Sequence, residues 1–282
     1  MLKQRIITAI ILFVLFLAAV FTLPALGWIV LVSLMIWQGA TEWARLSNMS
    51  AGLVIIYCIA ALLMMLGTLW LDSRLLSQDQ VLLFPHFFWY VASVILWVLV
   101  VPAWMIYGWQ LQNRGMMGLL GWIVLIPTGL AMIDLRSTSP WLLLGVMFVV
   151  WLADTAAYFS GRKFGKHKLA PSISPGKTWE GVYGALVFVT LYVTIIGWGT
   201  GLIKSYPMFS AIIVISWFWV ALSVLGDLFE SAIKRQAGVK DSGTLLPGHG
   251  GLLDRIDALT STLPFVALVL SLQLVPMLQK LS

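Results

Sequence analysis

Asp227, Ser231 and Lys234 recur at i, i+4 and i+7 in the stretch Gly-Asp-Leu-Phe-Glu-Ser-Ala-Ile-Lys. At about 100° per residue such a set falls within roughly 60° of one helix face. Asp227 lies where a long apolar run ends, and a carboxylate there is costly unless it is paired, faces water or binds a cation. Asp254 and Asp257 repeat the pattern at i, i+3 in Leu-Leu-Asp-Arg-Ile-Asp-Ala-Leu, where another apolar run begins. Two carboxylate-bearing helix ends that face one polar cavity suit a hard, oxygen-preferring cation such as Mg²⁺. A cation held by few carboxylates keeps positions for the phosphates of a substrate, as phosphoryl transfer requires. The plainer alternative pairs these groups with Lys234, Arg235 and Arg255 at helix ends. It explains any single carboxylate as well as a metal does. It explains less well the gathering of five between 227 and 257, together with Lys240, His249 and several glycines.

Asp154 is a separate case, deep in an apolar run as Trp-Leu-Ala-Asp-Thr-Ala-Ala-Tyr, with Tyr158 one turn on. An ionisable residue inside a membrane span is a functional candidate by default, and the alternative is a structural bond between helices. A nucleotide or metal contact is expected here, because a basic loop follows. That loop, residues 161–179, carries Arg162, Lys163, Lys166, Lys168 and Lys177. Its end, Ser174-Pro-Gly-Lys177-Thr178, resembles the end of a Walker A motif. The full motif needs a Gly where Pro171 stands and a strand before it, so a P-loop is rejected. Part of the logic survives, since Thr178, Trp179 and Glu180 open a helix whose N-terminus attracts phosphate. The competing account is topological, with basic residues held beside anionic lipid and no site at all.

The elements that must position these residues are membrane spans. Of the 282 residues, 61% are hydrophobic and only 10% charged; mean hydropathy is +0.98. Soluble domains carry about 25% charged residues, so the bilayer is the natural solvent. Fifteen Trp and seven Tyr agree with interfacial anchoring. The single cysteine, Cys58, excludes an intramolecular disulfide and a multi-cysteine zinc site, and reads as an apolar filler. Nine apolar stretches reach spanning length, at 6–22, 25–44, 52–71, 86–107, 116–133, 141–160, 180–201, 207–229 and 257–278. With the N-terminus in the cytoplasm, all but four of the seventeen basic residues fall on the cytoplasmic side. The four are Arg74, Arg136, Lys204 and Lys280. This asymmetry predicts an outside C-terminus. The fold expected is all-α and polytopic, one transmembrane domain over 1–282. Residues 1–150 serve mainly as scaffold and residues 151–262 as the catalytic part, at the cytoplasmic face.

One long stretch narrows the chemistry. Ser231-Ala-Ile-Lys234-Arg235-Gln-Ala-Gly-Val-Lys240-Asp241-Ser-Gly-Thr-Leu-Leu-Pro247-Gly-His249-Gly-Gly-Leu-Leu-Asp254-Arg255-Ile-Asp257 resembles the signature of phosphatidate cytidylyltransferases, the CDP-diacylglycerol synthases. The segments around Asp154–Tyr158, Gly165–Lys168 and Ser174–Gly181 are similar to that family too. The resemblance covers about residues 150–262, and the first 150 residues share only hydropathy. It implies that the phosphate of phosphatidic acid attacks the α-phosphorus of CTP and expels pyrophosphate, in phospholipid biosynthesis at a bacterial inner membrane. It implies Mg²⁺, with room for a second cation. Asp227 and Asp254 are the first choices as its ligands.

The catalytic set implied is Asp227, Ser231, Lys234, Lys240, Asp241, His249, Asp254, Arg255 and Asp257. The substrate-binding set is Asp154, Lys166, Lys168, Ser174, Lys177, Thr178 and Glu180. CTP, phosphatidic acid and membrane lipids are the expected partners, nucleic acid is not, and a homodimer is left open. Two rivals differ in class. A transporter suits the spans and Asp154, but seldom gathers charge in two loops on one side. A CDP-alcohol phosphotransferase would need an Asp-Gly-x2-Ala-Arg pattern, which the sequence lacks.

Overall fold

A computed structural model describes residues 2–75, 85–201, 203, 205–245 and 250–279, with side chains for 10–74, 85–201, 203, 205–245 and 250–272. The helices are α1 (Leu2–Thr22), α2 (Ala25–Leu46), α3 (Ala51–Leu75), α4 (Pro85–Ile95), α5 (Val101–Tyr107), α6 (Arg114–Thr138), α7 (Pro140–Phe164), α8 (Trp179–Gly199), α9 (Tyr206–Gln236) and α10 (Leu253–Gln279). A π-helical turn, Leu96–Val100, joins α4 to α5 as one rod. Pro102 explains the widening, because it has no N–H to return to the carbonyl four residues back. Eight of these rods are long and apolar enough to cross a membrane. The first expected span falls on α1, where the shorter apolar stretch Ile10–Thr22 is described. The chain is an all-α polytopic membrane protein.

The bundle is built around α6. Of its apolar stretch, 78% is buried, against 22–50% for the other spans. It packs against α2, α3, α4, α7 and α10. Trp28 and Trp43 are buried here rather than placed at an interface, each giving its indole N–H to a carbonyl of α6: Met132 O at 3.1 Å and Met117 O at 2.8 Å. The expectation of interfacial rings fails for these two, because an α6 carbonyl satisfies the polar edge inside the core. Phe229 of α9 is inserted among Trp43, Trp97 and Trp104, with ring centroids 6.3, 5.3 and 5.5 Å away. That aromatic knot fixes the last turns of α9 against α2 and α5, and so fixes Asp227 half a turn away.

Two close crossings shape the end of the bundle that carries Asp227 and Asp257. A Cβ on Gly181 would lie 2.8 Å from Ala157 O, so the glycine lets α8 lie against α7. A Cβ on Gly226 would lie 2.7 Å from both Asp257 O and Ser261 Oγ, so α9 meets α10 beside Asp227. Between α7 and α8 the expected loop folds into a two-stranded antiparallel hairpin, β1 (Lys168–Ala170) and β2 (Ser174–Thr178). Pro171 and Ser172 fall in its turn. The stretch that resembles Walker A is therefore itself extended and runs straight into α8, which is not a phosphate-wrapping loop.

Candidate active site

The end of the bundle where α7 stops and α8 and α10 begin holds a cavity of ≈ 770 Å³. Its walls carry opposite charges. Asp154 of α7, Asp227 of α9, and Asp254 and Asp257 of α10 supply carboxylates; Arg162, Lys168, Lys177 and Arg255 supply cations. Lys177 Nζ reaches across from the hairpin to 2.7 Å from Asp227 Oδ2. Ser231 Oγ donates to Asp227 Oδ1 at 3.4 Å, the contact that i, i+4 spacing allows on one helix face. Asp154 is exposed to the cavity and accepts from Ser223 Oγ at 3.3 Å. Asp257 is half-buried, and its Oδ1 accepts the N–H of Ala258 at 2.8 Å.

Behind this wall Lys234 is buried between two acids, 2.6 Å from Glu230 Oε2 and 2.5 Å from Asp254 Oδ1. The Glu230 contact is an ion pair between residues one helical turn apart. Asp254 is heavily engaged. Besides Lys234, its Oδ2 accepts the backbone N–H of Ser242 at 2.9 Å and of Gly251 at 2.8 Å. Such a carboxylate both closes the loop onto the first turn of α10 and complements the positive end of the helix.

The structure therefore brings together Asp154, Lys168, Ser174, Lys177, Thr178, Asp227, Asp254, Arg255 and Asp257 on one cavity, with Ser231 and Lys234 one contact behind. Thr178 also caps α8, its Oγ1 accepting the N–H of Gly181 at 3.2 Å. Four expected residues stand elsewhere. Lys166 is exposed beyond the cavity lining, and Lys240 and Asp241 are exposed in the turn after α9. Glu180 turns back to clamp the hairpin base, with Oε1 2.6 Å from His167 Nδ1 and both oxygens facing the His167 N–H. His249 lies outside the described residues.

Two acids were not singled out from the sequence, although Glu230 is among the five counted between 227 and 257. Glu230 is the buried partner of Lys234. Glu42 of α2 is fully buried and bonds to the loop beside Asp254. The rule that flagged Asp154, an ionisable residue inside an apolar run, applies equally to Glu42 and is the signal that could have found it.

The donor set can be tested against a metal. Among the described residues, no three His, Cys, Asp or Glu side chains stand together as a ready cage. The cavity carboxylates are nevertheless hard oxygen donors, and Mg²⁺ commonly takes one or two of them, completing its octahedron with water and phosphate. The residues fit a cation of that kind.

The profile of the cytidylyltransferase family matches residues 3–273. A Pseudomonas aeruginosa protein named phosphatidate cytidylyltransferase is 40% identical over 275 residues, covering 96% of this chain and 97% of its own. A Haemophilus influenzae protein of the same name is 37% identical over 283 residues, covering 94% and 97%. A Bacillus subtilis relative of that name is 44% identical over 125 residues, 44% of this chain and 45% of its own. Matched along nearly its whole length, and built around a charged cavity at one end of its spans, this chain belongs to the cytidylyltransferase family.

Proposed function

We propose that this chain joins CTP and phosphatidic acid to give CDP-diacylglycerol and pyrophosphate. The observation that carries the reading is the ≈ 770 Å³ cavity whose cations face its carboxylates, in a chain so closely similar to phosphatidate cytidylyltransferases. A triphosphate and a phosphate monoester bring much negative charge into one place, and Lys168, Lys177, Arg162 and Arg255 are there to meet it. A non-bridging oxygen of the lipid phosphate forms a bond to the α-phosphorus of CTP. The bond from that phosphorus to the oxygen bridging the β-phosphate breaks, and pyrophosphate leaves with the electron pair. The lipid is its own nucleophile, so the protein's work is positioning and charge stabilisation.

Lys177 has two employments in this scheme. Unloaded, it neutralises Asp227; loaded, it turns to a phosphate and frees the carboxylate. Asp227 and Asp254 are the residues that would hold Mg²⁺, with Asp154 and Asp257 at hand for a second cation. The bound cation supplies neutralisation of phosphate charge. Asp254 must release Lys234 or a backbone N–H to take part, whereas Asp227 need only release Lys177.

The same reading sets the cavity at the cytoplasmic face of a bacterial inner membrane, where nucleoside triphosphates are found, with a cytoplasmic N-terminus. Purified full-length protein given CTP, phosphatidic acid and Mg²⁺ should release pyrophosphate in step with lipid-bound CDP. A CDP-alcohol phosphotransferase would instead consume added CDP-diacylglycerol, and a transporter would do neither; either result removes the proposal.

A further inference from the structure

Glu42 sits on α2, inside the half of the chain that sequence reading assigns to scaffold, yet among the described residues all of its side chain's hydrogen-bond partners but one belong to the catalytic half. Its Oε2 accepts Ser242 Oγ at 2.8 Å and the N–H of Leu253 at 2.9 Å. Its Oε1 accepts the N–H of Leu252 at 2.9 Å, and Gln38 of the same helix at 2.8 Å. The residue is 0% exposed. Four donors converge on one buried carboxylate, which is what a buried charge needs to persist. Leu252 stands just before α10 and Leu253 opens it, so these two donors are amides at the helix N-terminus with no partner inside the helix.

The loop is shaped to this carboxylate. A Cβ on Gly243 would lie 2.9 Å from Glu42 Oε1. Ser242 lies between two acids, its hydroxyl 2.8 Å from Glu42 Oε2 and 3.1 Å from Asp254 Oδ2. One hydroxyl has one proton, so it donates to one acid at a time. Its backbone N–H meanwhile donates to Asp254 Oδ2 at 2.9 Å. Glu42 therefore pins both sides of Asp254: the loop that feeds it two N–H groups, and the helix turn that carries it. Arg255 and Asp257, on the cavity wall, follow from the same turn.

We infer that Glu42 is a positioning residue for the transfer reaction. It reaches no substrate or reacting atom, and holds the start of α10 at the height where Asp254, Arg255 and Asp257 meet the cavity. This role rests on the proposed function. It distinguishes Glu42 from an ordinary structural acid, because the elements it aligns are those that carry the chemistry. A displacement of about 1 Å in such groups can cost roughly 10²-fold in rate without loss of substrate contacts.

The test uses the full chain in detergent or nanodiscs. Glu42→Gln keeps the shape but turns one acceptor into a donor that faces a helix amide. The expected result is a kcat at least about 10-fold down. KM for CTP and for phosphatidic acid should stay within about twofold. Hydrogen exchange should quicken in 242–245 and 250–256, with the spanning helices unchanged. Glu42→Asp keeps the charge and retracts it by one methylene, and should lie between wild type and Glu42→Gln in both readouts. A folded Glu42→Gln with wild-type kcat overturns the inference, as does faster exchange spread over every helix, which would mark a general stability role. Should Glu42→Gln fail to fold, Glu42→Asp decides: a loss of kcat with unchanged KM supports the role, and full kcat overturns it. A wild type that releases no pyrophosphate removes the proposed function and this role together, whereas a working wild type beside an unchanged variant removes only the role.

Discussion

At the scale of residues, the central pair is Lys177 and Asp227, 2.7 Å apart across the cavity. If Lys177 only fixed topology, its loss would be mild, since many other basic residues share that side. If it meets phosphate in the transition state, Lys177→Gln should cost roughly 10²-fold or more in rate. Lys163 is the matched control. It is exposed, off the cavity lining, with its Nζ 5.2 Å from the centre of the Phe164 ring. Lys163→Gln should change the rate less than about twofold, and Lys177→Arg should rescue only in part, because a forked guanidinium does not replace a point charge. Steady-state rates at equal expression, with CTP and phosphatidic acid varied in turn, check this. Small, equal losses at both positions would leave topology as the sole role. Asp227→Asn should keep the protein folded and remove turnover, with a drop of about 10²-fold or more. Retained turnover with unchanged Mg²⁺ dependence would exclude Asp227 as an essential ligand.

At the scale of elements, the site depends on helices that cross unusually closely. Gly226 is the point of contact between α9 and α10, where any Cβ meets the Asp257 carbonyl. Gly226→Ala should push the helices apart and carry Asp227 away from Asp257. Overpacking of this kind costs about 1–3 kcal/mol, so the melting temperature should fall modestly while activity falls further, as geometry at the site is lost. A thermal melt beside a rate measurement separates the two effects, and a fully active Gly226→Ala would show that the crossing tolerates a methyl group. How much of this was legible beforehand differs by element. The spans were legible, because burial of backbone polar groups in lipid leaves long apolar helices as the answer. Asp227, Ser231 and Lys234 were legible because helical spacing puts them on one face. The hairpin was not, since three- and five-residue strands carry no usable period. Nor was the contact of Glu42 with Leu252, which joins residues 210 apart in the chain. No local pattern encodes a partner at that distance, although the buried charge itself was visible.

At the scale of the whole molecule, charge is segregated between the two ends of the bundle. One end carries the cavity. The other carries a smaller polar cluster, with His86 Nδ1 2.7 Å from Asp72 Oδ2 and Tyr90 Oη donating to Asp134 Oδ2 at 2.7 Å. Arg136 at that end bonds to the carbonyls of Val20 and Leu23 and lies over the Trp28 ring, which ties the α1–α2 turn to α6. The basic excess predicts that the cavity end is cytoplasmic. Reporter fusions after Lys280 and within 161–178 should then report opposite sides, and agreement between them would mean that the number of crossings is off by an odd count. The central claim is that CTP gives its α-phosphate, with the nucleoside, to a lipid phosphate inside this molecule. It is tested most directly by two parallel reactions of the purified protein with phosphatidic acid, one with CTP labelled at the α-phosphate and one with CTP labelled at the γ-phosphate. The account predicts that the α label enters the lipid and the γ label leaves as pyrophosphate, both in wild type and neither in Asp227→Asn. A γ label found in the lipid, or an α label that stays in water-soluble nucleotide while the wild type turns over, would contradict it.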